Sequence, residues 1–287
     1  MLRMNTTLPS IFVSHGSPLI ALEPGEAGAF MQRLGPAIEA MFGRPKVIVT
    51  VSAHTAAHVP VVLAGTKHEA IYDFGGFDPK LLTLRYDVPG DPALGDRLFA
   101  LLQGAGIAAQ KVSEGGLDHG AWTALRFLFP KADIPVVPLA FVPGAPPEQQ
   151  FALGAALAPL ASEGVLVIGS GSITHNLRRA FAGGLRGPAN VPEIPESAAF
   201  RRWFAERAAA RDWPALFAYR AQAPHAVDMH PTDEHLLPWF VAAGVSGRAD
   251  APVRIHDTVV MGSIGMDAYA FGPSAHELAE SLEPSTA

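Results

Sequence analysis

The stretch that decides the fold is Lys-Val-Ile-Val-Thr-Val-Ser, which occupies residues 46–52 of the 287-residue chain. Its side chains are mostly apolar and β-branched, without the polar alternation of a half-exposed strand. A continuous run of this kind predicts a strand that is covered on both faces, as in a parallel sheet. Ala53 and His54 follow directly, so we expect the strand to end beside a histidine.

Two other apolar runs follow the same plan. Residues 10–14 (Ser-Ile-Phe-Val-Ser) end at His15, and residues 165–168 (Val-Leu-Val-Ile) lead through Gly-Ser-Gly-Ser to His175. In open α/β sheets, binding sites form at the edge where parallel strands end. The pattern therefore indicates strands that each deliver a histidine to one edge of a sheet.

Segments with helical spacing alternate with these strands, for example residues 27–42, 92–103 and 147–162. This alternation is typical of a sheet with helices on both faces. We predict one α/β domain over residues 1–287, with three α/β/α layers around a mostly parallel sheet. The polar end, residues 280–287, is expected to be a frayed tail.

Composition excludes several classes of protein. The chain is 49% apolar and 17% charged with a net charge of −6, so it is globular and has no basic stripe for nucleic acid. It has no cysteine, so a metal must be held by imidazole, carboxylate, carbonyl or water. No apolar run reaches about 18 residues, and no signal-peptide pattern begins the chain, so we expect no membrane span and a cytoplasmic location. The oligomeric state stays open.

Five histidines lie in polar segments with Gly or Pro nearby, each next to an apolar run: His15, His54, His119, His175 and His235. Three imidazoles on one face of a metal leave the opposite face open to substrate. We predict that His15, His54 and His235 bind the metal. Glu234 is an alternative third ligand. If a helix capped by Thr232 runs through 233–243, residues 234 and 235 point about 100° apart, so only one of them faces the metal.

The remaining two, His175 and His119, are then candidates for acid–base catalysis, because imidazole exchanges protons near neutral pH. Asp118 could orient His119 or could be a turn residue. The Gly-Ser-Gly-Ser run at 169–172 lacks the Gly-Lys-Ser/Thr ending of a phosphate loop. We interpret its glycines as a tight turn that presents His175. The aromatic residues of the loop 71–79 could line a pocket or pack in the core.

Taken together, these segments resemble the class III extradiol ring-cleaving dioxygenases, and in particular their DOPA 4,5-dioxygenase-like branch. The similar stretches occur in order between residue 10 and about residue 264: Ser14–Pro18, Val51–Thr55, Asp73–Phe77, Leu117–Trp122, Gly169–Leu177 and His230–Pro238.

The resemblance implies a three-layer α/β/α fold with non-haem Fe(II), and Zn(II) is possible in the same site. It implies that His15, His54 and His235 are the metal ligands, that His175 is the acid/base, and that His119 lies near the substrate and oxygen. The substrates would then be a small catechol and O₂, and the ring would open beside the diol. Which catechol is used cannot be read from the sequence.

Two other functions remain open. The His-Gly-Ser segment and a late histidine also resemble tetrapyrrole metal chelatases, which would insert a metal without consuming oxygen. A non-enzymatic, metal-binding interaction protein could have the same fold, because fold does not determine function.

Overall fold

A computed structural model describes residues 7–182 and 191–283. The strands in chain order are β1 (Ser10–Ser14), β2 (Val47–Ser52), β3 (Val61–Leu63), β4 (Lys67–His68), β5 (Val88–Pro89), β6 (Gln110–Val112), β7 (Val136–Ala140), β8 (Val165–Gly171), β9 (Val253–His256), β10 (Val259–Val260), β11 (Ile264–Gly265) and β12 (Ala268–Phe271).

The α-helices in chain order are α1 (Gly25–Phe42), α2 (Pro92–Gly104), α3 (His119–Leu128), α4 (Pro147–Ala156), α5 (Pro159–Ser162), α6 (Leu177–Ala180), α7 (Pro195–Ala209), α8 (Trp213–Phe217), α9 (Tyr219–Gln222), α10 (Ala226–Met229), α11 (Leu237–Ser246) and α12 (Ala275–Leu282). Two 3-10 helices, Pro18–Ala21 and Pro79–Thr83, complete the set of regular elements in the described ranges.

Eight strands form one mixed sheet in the order β6-β3-β7-β2-β8-β1-β12-β9. Its centre, β7-β2-β8-β1, is parallel throughout. Antiparallel pairing occurs at β1–β12, β12–β9 and β3–β7. The predicted mostly parallel sheet is therefore confirmed for the central strands, and the carboxyl ends of those four strands lie at one edge.

Helices cover both faces of the sheet, which confirms the predicted three layers. Val49 and Val51 of β2 pack in a core with α2, α4 and α11, whereas Ile48 packs in a second core with α1, α3 and α12. All six residues of β2 are buried. Its apolar run therefore has the physical cause expected from the sequence, since both faces of the strand meet helices.

Two local predictions differ from the structure. The helix expected from residue 233 begins only at Leu237, and residues 231–236 form turns that place Pro238 in the first helical turn, where its missing N–H costs nothing. α12 continues to Leu282, so the first residues of the expected tail 280–287 are helical, and 284–287 lie outside the described residues. No helix in the described ranges is long and apolar enough to cross a membrane.

Candidate metal centre and active site

The five histidines singled out from the sequence meet in one cluster at the carboxyl edge of the central strands. His15 follows β1, His54 follows β2, and His175 follows β8, while His119 opens α3 and His235 lies in the turn before α11. The ring centroids are separated by 5.1 Å for His15–His54, 5.4 Å for His15–His235, 4.9 Å for His54–His235, 4.0 Å for His54–His119 and 3.4 Å for His175–His235.

Gly171 brings His235 to this edge. It is the last residue of β8, and a Cβ atom there would lie 2.0 Å from the carbonyl oxygen of His235. The absence of a side chain lets the turn approach close enough for the Ser172 N–H to donate to that oxygen at 2.8 Å. The missing side chain at Gly171 is therefore needed for the close approach of His235. Our interpretation of 169–172 as a turn that presents His175 is wrong, because residues 169–171 belong to β8.

His15 is held from behind by Ser170. The His15 Nδ1 lies 2.9 Å from Ser170 Oγ, and that hydroxyl donates its hydrogen to the carbonyl oxygen of Gly120 at 2.7 Å. Since a serine hydroxyl has one hydrogen, Nδ1 of His15 must be the donor. The lone pair of His15 is then on Nε2, which faces the cluster.

A buried ion-pair network supports the strand that carries His15. Ser14 Oγ donates to the backbone oxygen of Asp267 at 2.8 Å. The Asp267 carboxylate is fully buried and accepts from Arg201 at 2.8 and 3.0 Å. Arg201 also donates to Glu193 at 3.0 Å. Arg254 lies 3.4 Å from the same carboxylate but is about one-third exposed, so the buried Arg201 is the main charge that compensates Asp267.

His119 is oriented by Asp73, which the sequence analysis did not single out. The Asp73 carboxylate accepts from the His119 backbone N–H at 2.9 Å and lies 3.0 Å from its Nδ1. The orienting role that we considered for Asp118 is wrong: its carboxylate caps α3 and accepts from Ser52 and Thr55. Sequence adjacency suggested Asp118, but an N-cap carboxylate is directed at the backbone of its own helix.

His235 has a similar partner in Glu234. The Nδ1 of His235 lies 3.1 Å from Glu234 Oε1, which also accepts from the Thr232 hydroxyl. A carboxylate acceptor favours a proton on Nδ1, so Nε2 is free for a metal. Glu234 is thus placed to orient a ligand, although its carboxylate also belongs to a potential ligand group with His175 and His235.

The donor set fits a divalent metal with imidazole ligands. The Nε2 atoms of His15 and His54 face each other at 3.2 Å. Two nitrogens bound to one ion at about 2.0–2.1 Å would be about 3.0–3.4 Å apart, depending on the angle between the bonds. One nitrogen each from His15, His54 and His119 lies within 4.8 Å of the others. His119, rather than the predicted ligand His235, is thus the third imidazole at this distance, and His235 groups with His175 and Glu234. The His235 ring centroid lies 5.4 Å from that of His15 and 4.9 Å from that of His54.

Burial keeps these rings in the neutral form that binds metals. Loss of hydration lowers the pKa of His15 and His235 well below the usual value, and the neighbouring histidines lower it further. Burial, followed by the charge of His119, also lowers the pKa of His54. For Asp73, burial raises the pKa, but the hydrogen bonds from His119 outweigh it and the net direction is downward. The cluster thus presents neutral nitrogens backed by an ionised carboxylate.

His175 differs from the other rings. It stacks on His235 with a 10° angle between the ring planes. Among the described residues, none hydrogen-bonds to its ring, although its backbone N–H donates to Met229. Burial lowers the pKa of His175 to about 3, so its imidazole is neutral. A neutral ring without a protein partner can exchange a proton with a ligand.

The aromatic loop adjoins the site. Phe74 meets the ring of His119 edge-on with 5.7 Å between centroids, and Phe77 meets Phe74 at 5.9 Å. The side chains of His54, Asp73 and Glu234 are about one quarter exposed. The cluster is therefore open to solvent on the side of these three residues.

The sequence of this chain is similar to those of known proteins. Residues 9–272 match the family described as the catalytic LigB subunit of aromatic ring-opening dioxygenase. The 4,5-DOPA dioxygenase extradiol of Beta vulgaris is 34% identical over 265 residues, which is 91% of this chain and 96% of that protein. That of Portulaca grandiflora is 35% identical over 268 residues, with 91% and 95% covered.

A solved structure shows the same fold. The crystal structure of an uncharacterized protein from Escherichia coli K12 matches with a TM-score of 0.71 at 28% identity. The match covers 92% of this chain and all of that one.

Proposed function

The chain belongs to the LigB family of class III extradiol ring-opening dioxygenases, and on this premise we propose that it cleaves the ring of a catechol beside the diol, using O₂ and a non-haem metal ion. The observation that carries the proposal is the convergence of five histidines from five separate segments at one sheet edge. A structural role would require only that each ring be hydrogen-bonded. It would not require that the Nε2 atoms of His15 and His54 face each other at 3.2 Å.

His15, His54 and His235 are proposed as the metal ligands. Their three rings are separated by 4.9–5.4 Å, and the Nδ1 atoms of His15 and His235 are each occupied by a hydrogen-bond partner. We propose Fe(II) as the metal, with Zn(II) possible, because imidazole suits both. When bound with open positions, the ion would hold both catechol oxygens and O₂ and would lower the pKa of the catechol hydroxyls.

His175 is proposed as the acid/base. Its ring lies against the ligand His235, so a catechol held at the metal would place a hydroxyl beside it. The ring nitrogens lack a hydrogen-bond partner in the described part of the chain, so they can accept the hydroxyl proton and return it during ring opening.

His119 is proposed to stabilise the developing oxygen anion. Asp73 fixes its ring and places the proton on Nδ1 in the resting protein. The cluster faces Nε2 of this ring, which must therefore carry a proton when it donates.

The experiment that tests these roles combines metal content with oxygen uptake. The protein is loaded with Fe(II) anaerobically and mixed with a panel of catechols in an oxygen electrode. We expect O₂ consumption and a yellow ring-opened product. His235→Ala should lose the metal, whereas His175→Ala and His119→Ala should retain it. His175→Ala should lose turnover by about 10²–10⁴-fold.

Three results would contradict the proposal. If His119→Ala loses the metal and His235→Ala retains it, the ligand assignment is wrong. If the loaded protein inserts metal into a porphyrin without O₂ uptake, it is a chelatase. A metal content below stoichiometric with no O₂ uptake on any catechol would support the non-enzymatic interaction protein. Cytoplasmic location and the absence of a nucleic-acid partner stay predictions.

A further inference from the structure

A cavity of about 990 Å³ is lined by residues next in sequence to His15, but by none of the five histidines. Its lining includes Gly16 and Ser17, which directly follow His15, and Phe77. The ring of Phe77 contacts that of Phe74, which in turn contacts the ring of His119. The cavity is therefore placed to receive whatever extends from a ring held at the cluster.

The inner walls of the cavity are apolar. They include Ile20, Val260, Met261 and Met266, and Phe77 closes one side. A volume of this size is typical of a site for a small organic ligand. It exceeds the space needed by the catechol ring itself, so a substituent on the ring would fit.

The rim of the cavity is acidic. Glu23, Glu26 and Asp78 line it, and no Lys, Arg or His occurs among its lining residues in the described ranges. Glu23 and Glu26 are exposed and form no ion pair with any described residue. Asp78 accepts a hydrogen bond from the backbone N–H of Lys80, which leaves its charge in place.

The amino end of α1 makes a positive contribution to the electrostatic potential at the rim. Residues 25–27 form the first turn of α1 and line the same cavity, and the amino end of a helix carries about half a positive charge. Two full carboxylates, Glu23 and Glu26, lie at that same turn. Their summed charge exceeds the helix contribution several-fold, so the potential at the rim is negative.

We propose that this cavity holds the substituent of the catechol and selects an ammonium-bearing side chain over a neutral one, and a neutral one over a carboxylate. The inference rests on the proposed function, since it assumes that the diol is held at the histidine cluster. The apolar wall would contact the methylene groups of the substituent. Glu23 and Glu26 would then lie near its charged end.

The test uses four probes that share the catechol ring: dopamine, 4-ethylcatechol, 3,4-dihydroxyphenylpropionate and unsubstituted catechol. Their dissociation constants are measured anaerobically on the metal-loaded protein by titration calorimetry, and turnover is measured separately by O₂ uptake. We expect dopamine to bind at least about fivefold more tightly than the propionate at low ionic strength, with a smaller ratio in 0.5 M salt, because exposed charges are screened.

Two sets of variants localise the effect. Glu23→Gln combined with Glu26→Gln should bring the dissociation constants of dopamine and the propionate within about twofold of each other. Glu114→Gln, which follows β6 at the other end of the sheet, is the matched control and should leave the ratio unchanged. Val260→Trp should fill the cavity, weakening the substituted catechols by about tenfold or more while leaving unsubstituted catechol unaffected.

The outcomes separate the two proposals. If no catechol binds or consumes O₂, the proposed function fails and the inference fails with it. If catechols are turned over but the propionate binds as tightly as dopamine, the function stands and the charge selection is wrong. If Val260→Trp weakens unsubstituted and substituted catechols equally, the cavity does not hold the substituent.

Discussion

Gly171→Ala tests whether the approach of two backbone segments builds the site. The new Cβ would lie 2.0 Å from the His235 carbonyl oxygen, and real Cβ atoms essentially never come closer than 3.0 Å to another heavy atom. The turn at His235 must therefore retreat by about 1 Å. Overpacking of this kind costs about 1–3 kcal/mol, and weakening of the Ser172–His235 hydrogen bond adds about 1 kcal/mol.

We therefore expect the free energy of unfolding to fall by about 2–4 kcal/mol, which for a chain of this size is a decrease in Tm of roughly 4–8 °C. Metal–ligand bonds tolerate a displacement of about 0.2 Å, so metal affinity should fall at least about tenfold if His235 is a ligand. Both are measured on purified protein, by calorimetry and by competition with a chelator.

The matched control is Gly144→Ala. No heavy atom lies within 4 Å of the position of its Cβ, and its φ is not in the left-handed region. This variant should change neither Tm nor metal affinity. If Gly171→Ala behaves like Gly144→Ala, close approach at Gly171 does not position the turn. A lowered Tm with unchanged metal affinity would instead show that His235 is not a ligand.

Three further predictions address the surroundings of the site. Asp73→Asn should lower kcat for O₂ uptake about 10–100-fold with little change in Tm, because a histidine loses its charged acceptor; unchanged kcat would remove Asp73 from the mechanism. Arg201→Met should lower the free energy of unfolding in urea by about 3–5 kcal/mol, because the buried Asp267 carboxylate then keeps only the 3.4 Å contact to Arg254. Its exposed neighbour provides the control Arg202→Met, expected within about 0.5 kcal/mol of wild type. Burial lowers the pKa of His230 from 6.5 to about 4. Between these two pH values the unfolded chain binds a proton at this ring and the folded chain does not, so the free energy of unfolding decreases as the pH falls from 6.5 to 4. In urea titrations at several pH values, His230→Gln should make this decrease in the free energy of unfolding smaller by about 3 kcal/mol. An unchanged pH dependence would show that the pKa of this ring is not lowered by folding.

Much of the fold was predictable because its strands are buried on both faces. The run at 46–52 has no polar alternation, and the structure packs helices on each side of it. Strand ends were equally informative: His15 and His54 follow β1 and β2 directly, and parallel strands bring their carboxyl ends to one edge.

The partners of the histidines were not predictable from the sequence. Asp73 contacts His119 across 46 residues of sequence, and Ser170 contacts His15 across 155. No periodicity encodes such contacts, which depend on how loops return to the sheet. Asp118 is the converse case. It is next to His119 in sequence, which suggested that it orients that ring, but its carboxylate caps α3 instead.

Local rules also failed where tertiary contacts decide the outcome. A helix from residue 233 would be a reasonable pattern on its own, but the backbone of His235 is engaged by Ser172 of a neighbouring segment. The helix therefore begins four residues later than expected, at Leu237. His235 consequently lies in the turn before α11, where it joins the histidine cluster.

The place of β1 in the sheet has a consequence for synthesis of the protein. β1 leaves the ribosome before the other strands in the described ranges, yet both of its neighbours, β8 and β12, are encoded more than 150 residues later. At about 5–20 residues per second, translation takes roughly ten seconds or more to supply the first of them. During that interval the segment Ile-Phe-Val of β1 has no sheet partner and is a natural target for a chaperone. The sheet around β1 can therefore close only after β8 and β12 have been synthesised.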